Sequence, residues 1–233
     1  LLAANSYLET LDFNSSSIGA GLSRISAAIR QQSMPLVTLH IAENSISVTL
    51  AVELVGALRI GAHHTLTDLD LSGNPLFGVE EGGRDEYTTD FIESLCAWMQ
   101  DGARLQVLQL VDVALCGLAR DGNGSYQSQG ISVLNEMLAS SSVVLRSLNV
   151  SGCKVREDDA HLLGKGLVRN RALERLVLDK TALMVQQLAR GERLSLNAVD
   201  FSEVDATLMG QLLLQNLALG CIDLGGSKPL VRE

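Results

Sequence analysis

The chain has 233 residues, 46% hydrophobic but only 3% aromatic, and 18 basic against 27 acidic residues give it a formal charge of −9. That length can bury a substantial core, which must be aliphatic and mostly leucine. Three prolines and no low-complexity tract argue against disorder. The negative charge argues against a nucleic-acid phosphate backbone as partner and favours a basic protein surface or peptide.

No apolar run approaches the roughly 20 residues of a membrane span, so no membrane is expected. Cys96, Cys116, Cys153 and Cys221 are solitary, with neither zinc spacing nor the density of a secreted disulfide framework. They read as reduced thiols, and a reducing, cytoplasmic setting is expected.

In chain order, one pattern recurs: Leu-x-x-Leu-x-Leu-x-x-Asn-x-Leu. The first copy is Leu8, Leu11, Phe13, Ser16, Ile18, and the second Leu36, Leu39, Ile41, Asn44, Ile46. The third is Leu66, Leu69, Leu71, Asn74, Leu76, and the fourth Leu105, Leu108, Leu110, Val113, Leu115. The fifth reads Leu145, Leu148, Val150, Cys153, Val155, and the sixth Leu173, Leu176, Leu178, Thr181, Leu183. Weaker copies follow around Val199 (Leu196, Phe201, Val204, Ala206) and Ile222 (Leu219, Leu224, Ser227, Pro229). Between copies lie helix-like stretches: Leu22, Ile25 and Ile29 before Pro35; Leu50, Leu54 and Leu58 before Gly61; Leu95 and Met99 behind a capping box from Asp90 to Glu93; Ile131, Leu134 and Leu138; and Leu163 and Leu167. A repeat of this length signals a solenoid.

The pattern resembles the leucine-rich repeat superfamily along almost the whole chain, and intervals of 28 to 30 residues after the first, second and fifth copies resemble its ribonuclease-inhibitor-like subfamily. That resemblance implies an α/β horseshoe of about eight repeats, with a parallel β-sheet on the concave face and helices on the convex face. Residues 1–233 read as one such domain. Neither end offers a polar cap, which reads as a piece of a longer protein or as ends that a partner covers. The last intervals, of 23 residues, leave room for only a short helix or 3-10 segment.

Two intervals are longer, 39 residues from Leu66 to Leu105 and 40 from Leu105 to Leu145. The surplus falls in glycine-rich polar loops near 77–89 and 116–129, which leave from the same point of consecutive repeats and so stand side by side on one edge. Phe77, Tyr87, Tyr126, Arg84 and Arg120 on these loops are residue types that anchor interfaces. The competing reading makes the loops tolerated insertions whose aromatics only staple them down.

Strand alternation turns one set of side chains to the concave face. The expected partner-binding residues there are Asp12, His40, Asp68, Asp70, Gln109, Asn149, Arg175, Asp179, Asp200 and Asp223, with Glu43 and Asp112 at the edge. A face this acidic suits a basic protein segment, although a merely solvated face would also be polar.

No catalytic residue, metal or cofactor is expected. His40, His63, His64 and His161 match no metal spacing, no Gly-x-Ser-x-Gly or P-loop is present, and Gly164-Lys165-Gly166 reads as helix packing. The function expected is therefore a non-catalytic protein-interaction scaffold. The alternatives are a GTPase-activating module resembling Ran GTPase-activating proteins, on fold and charge alone, and a structural subunit of a large assembly. Neither the partner nor the oligomeric state can be read from the sequence.

Overall fold

Alternation of leucine with polar residues gives each repeat a strand of three residues. The computed structural model describes residues 5, 7–31, 35–79, 86–195 and 200–223. Six strands, β1 (Thr10–Asp12), β2 (Thr38–His40), β3 (Asp68–Asp70), β4 (Val107–Gln109), β5 (Ser147–Asn149) and β6 (Arg175–Val177), pair in parallel in chain order. Their central leucines, Leu11, Leu39, Leu69, Leu108, Leu148 and Leu176, lie in register and are buried. A slip of one residue would turn all of them out to water, so burial fixes the register.

The amphipathic stretches form α1 (Leu22–Gln31), α2 (Val48–Gly61), α3 (Asp90–Gln100), α4 (Gln129–Leu138) and α5 (Glu157–Leu167), each packed on its neighbour. Strands prefer about 4.8 Å of separation and helices about 8–10 Å, so the stack curves with its helices outside. Gly164 and Gly166 serve this packing. A β-carbon at Gly166 would come within 2.0 Å of Asn135 Oδ1 on α4. The capping box expected at Asp90 and Glu93 does not form: Thr89 is the N-cap, and its hydroxyl donates to Glu93 instead of accepting from the backbone.

Turns that follow the strands carry buried backbone groups, and the next repeat satisfies them. Asn44 donates to the carbonyls of Phe13 and Ala42 (2.8 Å each), while its Oδ1 accepts the N–H groups of Ser16 and Ile18 at 3.1 and 3.0 Å. Asn74 repeats this one turn further on. Its Oδ1 accepts from Asn44 and Ile46 (2.9 and 3.0 Å), and its Nδ2 donates to the carbonyls of Ile41, Leu71 and Ser72.

Val113 fills the same slot in the fourth repeat and offers no such bond. There the third turn closes on itself, with the Leu76 N–H donating to the Asn74 carbonyl at 2.8 Å around Pro75. Proline's fixed φ of about −65° suits that inverse γ-turn. Cys153 keeps a weaker version of the link: its Sγ donates to the Leu110 carbonyl at 3.2 Å and is within hydrogen-bond reach of the Val113 and Leu115 backbone.

Past β6 the repeat plan changes. β7 (Ala182–Met184) folds back antiparallel on β6, with Leu183 opposite Leu176. α6 (Val185–Arg190) is short, as its interval requires. β8 (Arg193–Ser195) and β9 (Cys221–Asp223) then pair in a separate two-stranded sheet. The strand expected around Val199 falls partly on 196–199, outside the described residues; Asp200 and Ser202 beyond it are in no strand. α7 (Glu203–Leu214) is a full helix where one or two turns were expected. It packs chiefly against α5, with Leu208 and Leu212 buried, so it occupies the convex-layer place that a sixth repeat helix would hold.

Asp205, fully buried at the start of α7, takes over the asparagine's task. Its Oδ2 lies 3.3 and 3.2 Å from the Lys180 and Thr181 N–H groups. Asn74→Ala removes a side-chain hydrogen bond from five backbone groups, of which the Ser72 carbonyl still accepts the Glu43 N–H, and urea denaturation should show a loss of at least about 3 kcal/mol. A loss no larger than that of an exposed-site control would refute the role given to this side chain.

Candidate functional site

The parallel register builds the concave face in two rows. One row aligns Asp12, His40, Asp70, Gln109, Asn149 and Val177; the other aligns Thr10, Thr38, Asp68, Val107, Ser147 and Arg175. His40 Nε2 lies 3.3 Å from Asp68 Oδ1. Asp12, Asp70 and Asn149 each accept, through Oδ1, the N–H two residues on, at 3.0, 2.9 and 3.1 Å. These side chains thus close the strand's exit turn, and the aspartates still present a negative charge. The acidic part is confined to β1–β3. By β6 the rows hold exposed Arg175 and buried Val177.

At the strands' C-terminal edge a notch continues this face. Equivalent positions of successive turns hold Glu43, Gly73, Asp112 and Gly152, all with positive φ (57°, 65°, 54° and 77°). Acid and glycine alternate for a steric reason. A β-carbon on Gly73 would sit 3.1 Å from the Glu43 carboxyl, and one on Gly152 would sit 1.9 Å from Asp112 Oδ1. Each acidic side chain leans over the next turn, where glycine leaves room. Between Glu43 and Asp112 opens a cavity of about 380 Å³, walled by Ser45, Asn74 and Pro75 on the turns and by Val79, Ala119 and Arg120 from the loops. Arg120 Nε stands 4.0 Å from Asp112 Oδ2 and is largely exposed.

The loop aromatics are used internally. Phe77 is fully buried, stacked on Tyr87 and edge-on to Phe91, so it is withdrawn from any partner contact. The Tyr87 hydroxyl donates to the Leu115 carbonyl at 2.9 Å and accepts the Gly130 N–H at 3.0 Å, joining the first loop to the second. Tyr126 donates to buried Asp159, and the Arg156 guanidinium lies 3.6 Å from its ring centre. Val79, Ala114, Ala119 and Tyr87 form a small apolar cluster between the loops. Arg84 lies outside the described residues.

Of the remaining candidates, Asp179 is exposed in the bend after β6, Asp200 lies in no strand, and Asp223 sits on β9 in the separate sheet. The continuous face therefore ends before Asp200 and Asp223, because β7 occupies the edge at which a seventh parallel strand would pair. The structure brings Glu43, Asp112 and Arg120 together at the notch. Its glycine and alanine walls escape a search for chemically active residues, although the acid–glycine alternation at one template position was a usable signal. Among the described residues no group of three or more His, Cys, Asp or Glu is placed to hold a metal, and no helix is long and apolar enough to cross a membrane.

Burial pushes the Cys96 thiol up to about 12, helped by the charges of Glu136 and Glu93. It pushes Cys153 up to about 11, against the backbone hydrogen bonds of Val113, Leu115 and Asp112, and Tyr87 up to about 12, against the Gly130 N–H. Groups raised on folding stabilise fully below their unfolded pKa and lose that contribution as pH climbs through the folded value. The urea midpoint should therefore fall between pH 9 and about 12, and less steeply in a Cys96→Ala/Cys153→Ala variant; equal slopes would contradict the burial effect. Tyr126→Phe leaves the buried Asp159 carboxylate without its donor and should cost about 1–3 kcal/mol by the same denaturation. A neutral outcome would show that the second loop is not held by this bond.

A family model described as "Leucine Rich repeat" matches residues 62–80, the third repeat's entry, strand and turn. No curated protein matches the sequence. Among solved structures, "Leiomodin-1 Actin-Binding Site 2 (ABS2)" aligns with a TM-score of 0.39 and 11% identity over 93% of this chain and 85% of that one. The sheet register and the repeat positions, not that likeness, define the fold. In fold, the chain is an α/β leucine-rich-repeat solenoid.

Proposed function

We propose that this protein is a non-catalytic interaction scaffold that binds a basic segment of a partner protein along β1–β3 and into the notch at their edge. The observation that carries this reading is the register. It sets Asp12 on β1 and Asp68 and Asp70 on β3, on either side of β2, with Glu43 and Asp112 at the strand exits. No Lys or Arg enters the two rows over β1–β5. The first hundred residues of the sequence hold 12 acidic and four basic side chains, so this part of the chain is acidic in composition as well. A curved, preformed sheet loses little conformational entropy on docking, which suits many shallow polar contacts.

Because Asp70 also closes a turn, the informative substitution is Asp70→Asn, which keeps the oxygen acceptor and removes the charge. An Asp70→Asn/Glu43→Gln protein should keep its urea midpoint. Its affinity for a lysine- and arginine-rich peptide should drop at least about tenfold, and binding by the native protein should weaken as salt rises. Unchanged affinity in the double variant, or binding indifferent to salt, would refute the proposed use of this face.

A further inference from the structure

The opposite edge, where the strands begin, carries the reverse charge. A cavity of about 430 Å³ there is lined by Arg104, Arg146 and Arg171, with Gln106, Val144 and Glu174. The three arginines come from the entries of three consecutive strands, β4, β5 and β6. Arg146 pairs with Glu174 at 3.1 Å, both being more than half exposed. Glu174 is the one acid among the lining residues, so two positive charges remain in excess. The local backbone is already committed: the Gln106 carbonyl accepts the N–H groups of Arg146 and Ser147, and the Arg146 carbonyl those of Glu174 and Arg175. What remains for recognition is a set of guanidinium groups around Val144, a side chain 44% exposed.

We infer that this edge is a docking groove for an acidic peptide segment of a protein partner, separate from the acidic face. Guanidinium forks match carboxylates two bonds at a time. The arginines are spread over two strand-to-strand steps of about 4.8 Å each. That spacing is wide for one phosphate group and fits carboxylates at alternate residues of an extended chain, about 7 Å apart. Val144 and Ala172 supply apolar contact for the residues between them. A duplex nucleic acid would extend past the groove and meet the field of a protein of charge −9. An extended peptide can set its central carboxylates within a Debye length of about 8 Å of the arginines.

The test uses the full chain and a fluorescein-labelled ten-residue peptide of alternating glutamate and leucine, followed by anisotropy. Arg104, Arg146 and Arg171 are exposed, so Arg104→Glu/Arg171→Glu should leave the far-ultraviolet circular dichroism and urea midpoint unchanged. Peptide affinity in that variant should fall at least about tenfold, while Asp70→Asn/Glu43→Gln binds the peptide as the native protein does. Failure of the acidic-face reading would appear only with the basic peptide, so the two proposals stand or fall apart.

Four results would overturn the groove. One is native-level peptide binding by the arginine variant. Another is equal competition by inorganic phosphate at the same charge concentration. A third is tighter binding of a duplex oligonucleotide than of the peptide. The last is salt-sensitive self-association in sedimentation, abolished by Arg104→Glu/Arg171→Glu, which would make a second copy of this chain the occupant.

Discussion

The solenoid depends on one constraint: the backbone groups of the strand-exit turns need hydrogen-bond partners that the turns themselves only partly supply. In the first two turns the next repeat reaches back to do so, through Asn44 and Asn74. An unpaired buried amide or carbonyl costs as much as a lost hydrogen bond, so these contacts fix the axial stacking as firmly as the leucines fix the register. Hydrophobic burial alone would tolerate sliding of one turn over another. The asparagines make that sliding costly.

Where the asparagine fails, the chain finds other solutions, and they account for the irregularities. The Val113 side chain offers nothing to the third turn, where the Leu76 N–H bonds instead to the Asn74 carbonyl around Pro75. Cys153 supplies a weaker, sulfur-based version of the asparagine's contacts. At the sixth turn Asp205 supplies the acceptor from a helix about 25 residues downstream in sequence, and between the two lies the β7–α6–β8 excursion. The same turns hold non-glycine residues in the left-handed region, including Glu43, Asp112 and Ala114, at roughly 1–2 kcal/mol each. That strain is what aims Glu43 and Asp112 over the glycines that follow them.

Charge is sorted across the arc in a way the net value conceals. Carboxylates gather on β1–β3 and at the exits of β2 and β4, whereas arginines collect where β4–β6 begin. At physiological ionic strength, exposed charges more than about 8 Å apart are largely screened, so the two regions act locally and with opposite sign. A rigid repeat array suits this division, because each repeat contacts only its neighbours and its surface varies independently of theirs.

Much of this was legible in the sequence. Leucine spacing determined the six strands, their parallel order and the five full helices between them, because period-2 and period-3.6 burial leave separate marks on a chain. It also determined the concave rows on β1–β6, since side-chain alternation follows from strand geometry. The fates of Phe77, Tyr87 and Tyr126 were not readable there: whether a loop aromatic faces water or the core depends on what the neighbouring repeat presents to it. Nor was the end of the continuous face, because a leucine at position 183 serves a parallel repeat or an antiparallel hairpin equally well, and only pairing with Leu176 decides between them. Local pattern sets what each segment can become, but contacts between segments distant in sequence decide which surface is left for a partner.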